Sequence, residues 1–276
     1  VDCMTSNVAS RTGYKYILGF VDAKSGATVS IKMKKKSDAG RALELFMQKV
    51  ASDGWFSSPD FSHCTFFSDN EFVDGSFQAM AQKLNQKCIE THGAAGPSIG
   101  FKYCSPHSSF SNGKVERSFR TISNMTRCML FSAGVSTKYW DLAYAHATYV
   151  HNCIPTAATG GISPYEQVHG HPPDVSKLMP FGAIVAKWKY AEQRKKWDPK
   201  ASFVVFVGVD PLHPSTSIQV LDPCTKQITN TRSYRPIVAD PHDTRSLMDR
   251  WRAASVECPL PAHIDLDQEG APFLPD

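Results

Sequence analysis

Apolar positions along this chain follow two rhythms, and the switches between them predict its elements. Tyr14 to Val21 is largely aromatic and β-branched, which predicts a buried strand. Asp22-Ala23-Lys24-Ser25-Gly26 has turn chemistry. Ala27 to Met33 then alternates, with Val29, Ile31 and Met33 on one face and Thr28, Ser30 and Lys32 on the other. Two strands across a short turn predict a hairpin. The spacing next becomes helical: Ser37 is the expected N-cap, Leu43, Phe46 or Met47, and Val50 form the stripe, and Gly54 closes it.

Cys64 to Ser68 reads as a short buried strand, and Phe77 to Lys87 as a helix with Phe77, Met80, Ala81 and Leu84 on one stripe. Residues 93 to 113 are rich in Gly, Ser and Pro and read as a long loop, which in a compact domain points to function or disorder. Helices are expected from Val115 to Ser132, with Phe119, Ile122, Met125 and Met129 inward, and from Trp140 to His151. The composition shifts after about residue 170. Phe203 to Val209, Ile218 to Leu221 and Gln227 to Arg232 read as short strands, with a turn at Asp222-Pro223-Cys224-Thr225-Lys226. Residues 241 to 276, with many Pro and acidic residues, are expected to be an extended tail. The order β-β-α-β-α-loop-α-α followed by a β-rich module predicts an α/β layer with helices packed on a sheet.

At 276 residues with 42% apolar and 20% charged side chains, the chain has enough material for a large core and is neither a fibrous repeat nor a disordered tail. No run approaches the ~20 apolar residues of a membrane helix, so no membrane partner is expected. The Val1-Asp2-Cys3-Met4 opening has neither a signal-peptide pattern nor an initiator Met, so a piece of a longer intracellular chain is expected, with no targeting signal identified. The net charge of +4 is unevenly spread. Residues 251 to 276 carry five acids against one base, leaving +8 on the rest. A basic body permits nucleic-acid binding without demanding it. The cysteines at 3, 64, 88, 104, 128, 153, 224 and 258 form no C-x-x-C pair or zinc-finger spacing, and read as reduced, mostly buried thiols.

Three carboxylates stand out by context. Asp2 lies just before the first strand region, Asp69 ends a strand in Ser68-Asp69-Asn70-Glu71-Phe72, and Glu116 lies in a first helical turn within Asn112-Gly113-Lys114-Val115-Glu116-Arg117. Carboxylates at a strand end and a helix start can converge at one sheet edge and hold a pair of Mg²⁺ ions ~4 Å apart for phosphoryl transfer. Each also has a plainer role. Asp69 suits a turn, Glu116 complements a helix dipole, and Asp2 suits a solvated end. Asp22, at the end of a strong strand, is also offered, and no spacing rule excludes it. The residues alone reach a metal-dependent, nuclease-like site and stop there.

The motifs together resemble the integrase core of copia-type LTR retrotransposons, within the retroviral integrase superfamily. Val1-Asp2-Cys3 and Gly13 to Ser25 are similar to the opening of that core. Ser68 to Phe72 resembles its second-Asp motif, and Ser105-Pro106-His107-Ser108-Ser109 with Asn112 to Arg117 its third. Tyr139-Trp140, Tyr149 to Thr156, Ser163 to Glu166, His169 to Val175 and Leu178 to Gly182 follow in the family's order. Asp198 to Ala201 and Phe206 to Val209 resemble the small β module that comes next, so the likeness covers roughly residues 1 to 240.

The resemblance implies a ribonuclease-H-like mixed five-stranded sheet flanked by helices. It implies a catalytic core at 1–170, a β-rich module at 171–240 and the acidic tail at 241–276. It makes Asp2, rather than Asp22, the first member of a catalytic and metal-holding triad with Asp69 and Glu116. It implies two Mg²⁺ or Mn²⁺ ions as cofactors, and double-stranded DNA, as element ends and target, as substrate. It also implies a homo-multimer and a nuclear site of action. The implied reaction is 3′-end processing and strand transfer, with water or a 3′ hydroxyl attacking a phosphodiester. The sequence departs from the family in three places. Glycines are missing between Asn70 and the acidic Glu71. Ser109-Phe110-Ser111 replaces the usual residues before Asn112-Gly113. The Asp69-to-Glu116 interval of 47 residues is wide, with the excess expected in Thr91 to Tyr103.

A DNA track is expected at Asn112, Lys114, Arg117, Arg120 and Arg127, which surround or follow Glu116, and at Lys187 and Lys189 in a cation–aromatic segment ending at Trp197. The competing reading is a catalytically decayed nucleic-acid- or protein-binding remnant of a retroelement polyprotein.

Overall fold

A computed structural model describes residues 1–53, 63–68, 75–92, 98–103, 109–210, 216–237 and 249–250. They cluster into two compact units: Val1–Asn124 with Ala147–Pro173, and Met125–His146 with Asp174–Asp276.

The first unit is built on β1 (Asp2–Thr5), β2 (Tyr16–Val21), β3 (Thr28–Met33), β4 (His63–Ser68) and β5 (Ser98–Tyr103). β1, β2 and β3 form an antiparallel sheet, with Asp2 opposite Gly19 and Gly19 opposite Ser30. β4 and β5 pair in parallel. The two groups meet where the Val1 amine donates to the Phe67 carbonyl at 2.6 Å. The α/β class and its mixed strand directions are therefore as expected, with the five strands hydrogen-bonded as an antiparallel three and a parallel pair.

Helices cover both faces. On one side lie α1 (Ala39–Ser52) and α2 (Gly75–His92), packed against Leu18, Phe20, Met33 and Phe66. The Phe20 and Phe46 rings stack with centroids 4.0 Å apart, and Phe66 meets both edge-on at 5.9 and 5.8 Å. Such aromatic contacts add to what area burial alone supplies. On the other side lie α3 (Ser109–Ala133, as far as Asn124) and the end of α4 (Trp140–Cys153). Ser30 and Thr148 hydroxyls are 3.1 Å apart there, and the Asn152 amide exchanges hydrogen bonds with the Thr28 backbone at 2.9 and 2.8 Å. The short helix α5 (Pro164–His169) starts with Pro164 in its first turn and the Ser163 hydroxyl accepting from the Glu166 N–H at 3.1 Å.

The second unit carries a five-stranded antiparallel sheet in the order β10-β6-β7-β8-β9: β6 (Ile184–Trp188), β7 (Ala201–Val209), β8 (Ile218–Leu221), β9 (Ile228–Thr231) and β10 (Tyr234–Pro236). Val185, Val204, Phe206, Ile218 and Val220 form its core. This is the expected β-rich module, with β6 and β10 added.

The sequence reading needs several local corrections. Asp2 lies in a strand, not ahead of the first one. Residues 93 to 113 are not one loop, because β5 runs through them and α3 begins at Ser109. Helix α1 starts at Ala39 after a short 3-10 turn, Lys36–Asp38, so Ser37 is not its N-cap. On α3 the buried stripe is Val115, Phe119, Ile122, Thr126, Leu130 and Ala133, while Met125 and Met129 are half-buried. Among the described free cysteines only Cys153 is buried, Cys3 and Cys64 are half-buried, and Cys128 and Cys224 are exposed, so the expectation of mostly buried thiols fails; burial still pushes the Cys64 and Cys153 thiols up to about 11. The tail expectation, apart from Asp249 and Arg250, falls outside the described residues.

Candidate functional site

Successive side chains of a strand point to opposite faces, and residues directly opposite in an antiparallel pair share a face. Cys3 packs with Leu18 against the α1 and α2 core. Asp2 and Met4 therefore point to the other face. Met4 confirms this, its sulfur lying 3.4 Å from the Ser123 hydroxyl of α3. Gly19, opposite Asp2, sits beneath Phe119 of α3: a Cβ there would meet the ring Cζ at 2.7 Å. The absent side chain at Gly19 lets α3 lie close on the sheet where Asp2 is placed.

The level of Glu116 follows from element geometry. From Met4 back to Asp2 is two residues, roughly 7 Å of strand. At 1.5 Å per residue, roughly four or five helical residues back from Ser123 reaches Phe119. Glu116 is one turn earlier on the same helix, and its side chain is exposed. Asp2 and Glu116, 114 positions apart in sequence, thus both belong to the side of the sheet that α3 covers. The Asp2 carboxylate accepts from the Cys3 N–H at 2.7 Å. Asp69 follows the last residue of β4 and lies outside the described residues.

Asp22 plays a different part. Its carboxylate accepts from the Ser25 N–H at 2.7 Å and the Ser25 hydroxyl at 2.6 Å, and its N–H donates to Ala27 at 2.9 Å. It organises the β2–β3 turn.

The basic residues divide by what they touch. Arg117 and Arg120 are exposed one turn apart on α3. Lys114 is also exposed, but its ammonium donates to the Ala23 carbonyl at 2.6 Å, tying the start of α3 to the hairpin turn. The side chain of Asn112 is outside the described residues. In the second unit, Arg127 is exposed. Lys187 donates to the Thr229 hydroxyl at 2.8 Å, and burial lowers its pKa against the opposing pull of Asp222. Lys189 is half-buried. Trp188 has the Arg194 guanidinium at 5.7 Å and the Lys200 ammonium at 5.8 Å, while Trp197 is 76% exposed with Lys196 at 5.4 Å. The Trp188 contacts are internal to the module, whereas the Trp197 ring is largely exposed. The residue that sequence reading missed is Gly19. A glycine inside an otherwise apolar strand was its signal, since that position often marks close approach by another element.

Among the described residues no three His, Cys, Asp or Glu side chains cluster tightly enough to hold a metal ion. The donor chemistry of Asp2 and Glu116 is oxygen-only, which suits a hard divalent cation such as Mg²⁺ or Mn²⁺. No described helix is long and apolar enough to cross a membrane.

No family model matches the chain. Two curated relatives are the retrovirus-related Pol polyproteins from transposons RE2 and RE1 of Arabidopsis thaliana. Each is 30% identical over 207 residues, covering 75% of this chain and 13% of the relative. The chain therefore spans about an eighth of their length. Similar solved structures include a simian T-cell lymphotropic virus intasome in complex with PP2A regulatory subunit B56 gamma. That match has TM-score 0.43 and 14% identity, and covers 86% of this chain and 78% of the other. The HTLV-2 integrase catalytic core domain in complex with magnesium, in trimeric form, matches at TM-score 0.39 and 20% identity, over 61% of this chain and 93% of the other. The BIV integrase catalytic core domain matches at 0.38 and 18%, over 60% and 92%.

Proposed function

Because the chain is homologous to a segment of retrovirus-related Pol polyproteins from plant transposons, we propose that it is an integrase core of copia-type, joining element DNA ends to target DNA. The observation that supports the reading is the register of Asp2 opposite Gly19, which lies beneath Phe119 of the helix that bears Glu116. The sequence motif supplies Asp69 as the third member.

In this reading Asp2, Asp69 and Glu116 hold two Mg²⁺ or Mn²⁺ ions. When bound, such ions acidify an attacking hydroxyl and offset charge on the phosphodiester. The protein's share is to fix the carboxylates. Backbone pairing with β2 holds Asp2, and packing of Phe119 on Gly19 holds the helix that bears Glu116. First water and then the 3′ hydroxyl of the element end attacks phosphorus. The attacking oxygen loses its proton and the 3′ oxygen of the broken bond leaves. Arg117 and Arg120 would take phosphates of the duplex, which positions DNA without reading its sequence. The reading also carries the division at 1–170, 171–240 and 241–276, a homo-multimeric assembly, and action in the nucleus.

The test is strand joining of an end-mimicking duplex with Mg²⁺ or Mn²⁺, comparing the wild type with Glu116→Gln. Metal-dependent joining that falls at least ~1,000-fold in the variant is expected from loss of a carboxylate ligand. Folded protein that shifts DNA while both versions are equally inert would replace the enzyme with a DNA-binding remnant.

A further inference from the structure

Helix α5 ends in a ring cluster that the integrase reading does not use. Gly170 follows His169 with φ 73° and ψ 5°, and its N–H donates to the Glu166 carbonyl at 2.8 Å. This left-handed turn, open to glycine without strain, folds the chain back at once. His171 therefore returns toward the helix that His169 ends. Tyr165 and His169, one turn apart, have ring centroids 4.1 Å apart, and His171 meets Tyr165 edge-on at 5.7 Å. The two imidazole centroids are 6.0 Å apart with planes tilted by 39°. His169 is half-buried and His171 exposed.

A metal–nitrogen bond of ~2 Å plus the ring radius puts an imidazole centre roughly 3 Å from its ion, so two rings bound at tetrahedral or cis-octahedral angles stand about 4.5–5 Å apart. The observed 6.0 Å is wider, so the two rings must close on the ion by about 1 Å. Tautomer is set as well. His171 Nδ1 is 3.0 Å from the Pro172 carbonyl, an arrangement in which Nδ1–H donates and Nε2 keeps its lone pair for a ligand. Pro172 and Pro173 then stiffen the exit. Asp53 acts electrostatically on His169 but is paired with Lys49 at 2.9 Å, and among the described residues no third protein ligand is at hand. A two-histidine clasp completed by water is what remains, and imidazole donors select borderline transition cations over Mg²⁺ or Mn²⁺.

We propose that His169 and His171 form a two-histidine site for a divalent transition cation of the Ni²⁺, Cu²⁺ or Zn²⁺ class, separate from Asp2, Asp69 and Glu116. The site is independent of the integrase reading, because none of its residues belongs to the carboxylate set. The experiment titrates the whole chain with Ni²⁺ by calorimetry, in excess Mg²⁺ so that carboxylate sites are already filled. Wild type is compared with His171→Ala and His169→Ala, and circular dichroism confirms that each is folded. His171 is exposed, so its replacement leaves the core untouched. Loss of either ring turns a chelate into a single ligand, and at least a tenfold weaker Ni²⁺ affinity is expected in both variants, with the wild-type imidazole resonances of residues 169 and 171 broadened together by the ion. Equal Ni²⁺ affinity in wild type and both variants, or broadening confined to other histidines, overturns the site.

Discussion

Gly19 shows how much one missing side chain can settle. It lies mid-strand, where glycine costs conformational entropy, yet any Cβ there would run into the Phe119 ring. Gly19→Ala is expected to lose about 1–3 kcal/mol, the usual range for overpacking. Displacing α3 by even ~1 Å should cost on the order of 100-fold in strand joining. Pairing it with Phe119→Leu is expected to restore part of both, which a double-mutant cycle in thermal unfolding and joining rate would read. His146 supplies a second prediction. The ring is 4% exposed, edge-on to Phe206 at 5.2 Å, with its Nδ1 unpartnered among the described residues. Burial pushes its pKa down to about 4, against a weaker pull from the Met179 backbone. The unfolded chain, titrating near the ordinary 6.5, binds the proton first. The stability this ring contributes is thus complete above pH ~6.5 and lost as pH falls toward ~4. Between pH ~6.5 and ~5 the wild type should lose about 1.5 kcal/mol more than His146→Gln in chemical denaturation.

At the scale of elements, periodicity finds what local residues decide. The β2–β3 hairpin, α1, α2, α4 and the strands β7 to β9 are all legible from alternation or helical stripes, with ends off by a few residues. β5 is not legible. Ser98 to Tyr103 carries Gly100 and follows Pro97, so it looks like loop; its strand character comes from parallel pairing with β4, thirty-five positions earlier. The start of α3 is hidden in the same way, since Gly113 lies inside the helix and weakens the local signal. The core of the first unit depends on such pairings meeting α1. Phe46 stacks on Phe20 and meets Phe66, so it joins helix, hairpin and β4. Phe46→Ala is expected to cost about 3–5 kcal/mol in equilibrium unfolding. A loss under ~1 kcal/mol would mean that this three-ring contact contributes little.

For the whole molecule, charge and DNA are the matter. The described basic side chains differ in availability: Arg117 and Arg120 are exposed, while Lys114 and Lys187 already have hydrogen-bond acceptors. Each phosphate contact adds roughly −0.9 to the slope of log affinity against log salt. Arg117→Ala with Arg120→Ala should therefore flatten that slope by about 1.8, measured by fluorescence anisotropy on a duplex over a salt series. Lys187→Ala should leave it unchanged within about 0.3, because its ammonium is spent on Thr229. A slope moved equally by both would make the track a diffuse field of positive charge.

By itself the sequence determined the α/β class, most of the elements and the order of motifs that points to a retroelement integrase, because each rests on residues within a turn or two of one another. It left both Asp2 and Asp22 open on chemistry alone, and only the family likeness separated them. Tertiary structure decided what those carboxylates do locally. Asp22 closes a turn through Ser25, whereas Asp2 pairs opposite Gly19 and faces α3. It also decided that β5 is a strand and that α3 packs on the sheet at Gly19. The physical reason is common to these cases: parallel strand pairing and helix-on-sheet packing join residues far apart in the chain, and no periodicity within one segment encodes which distant segment will lie against it.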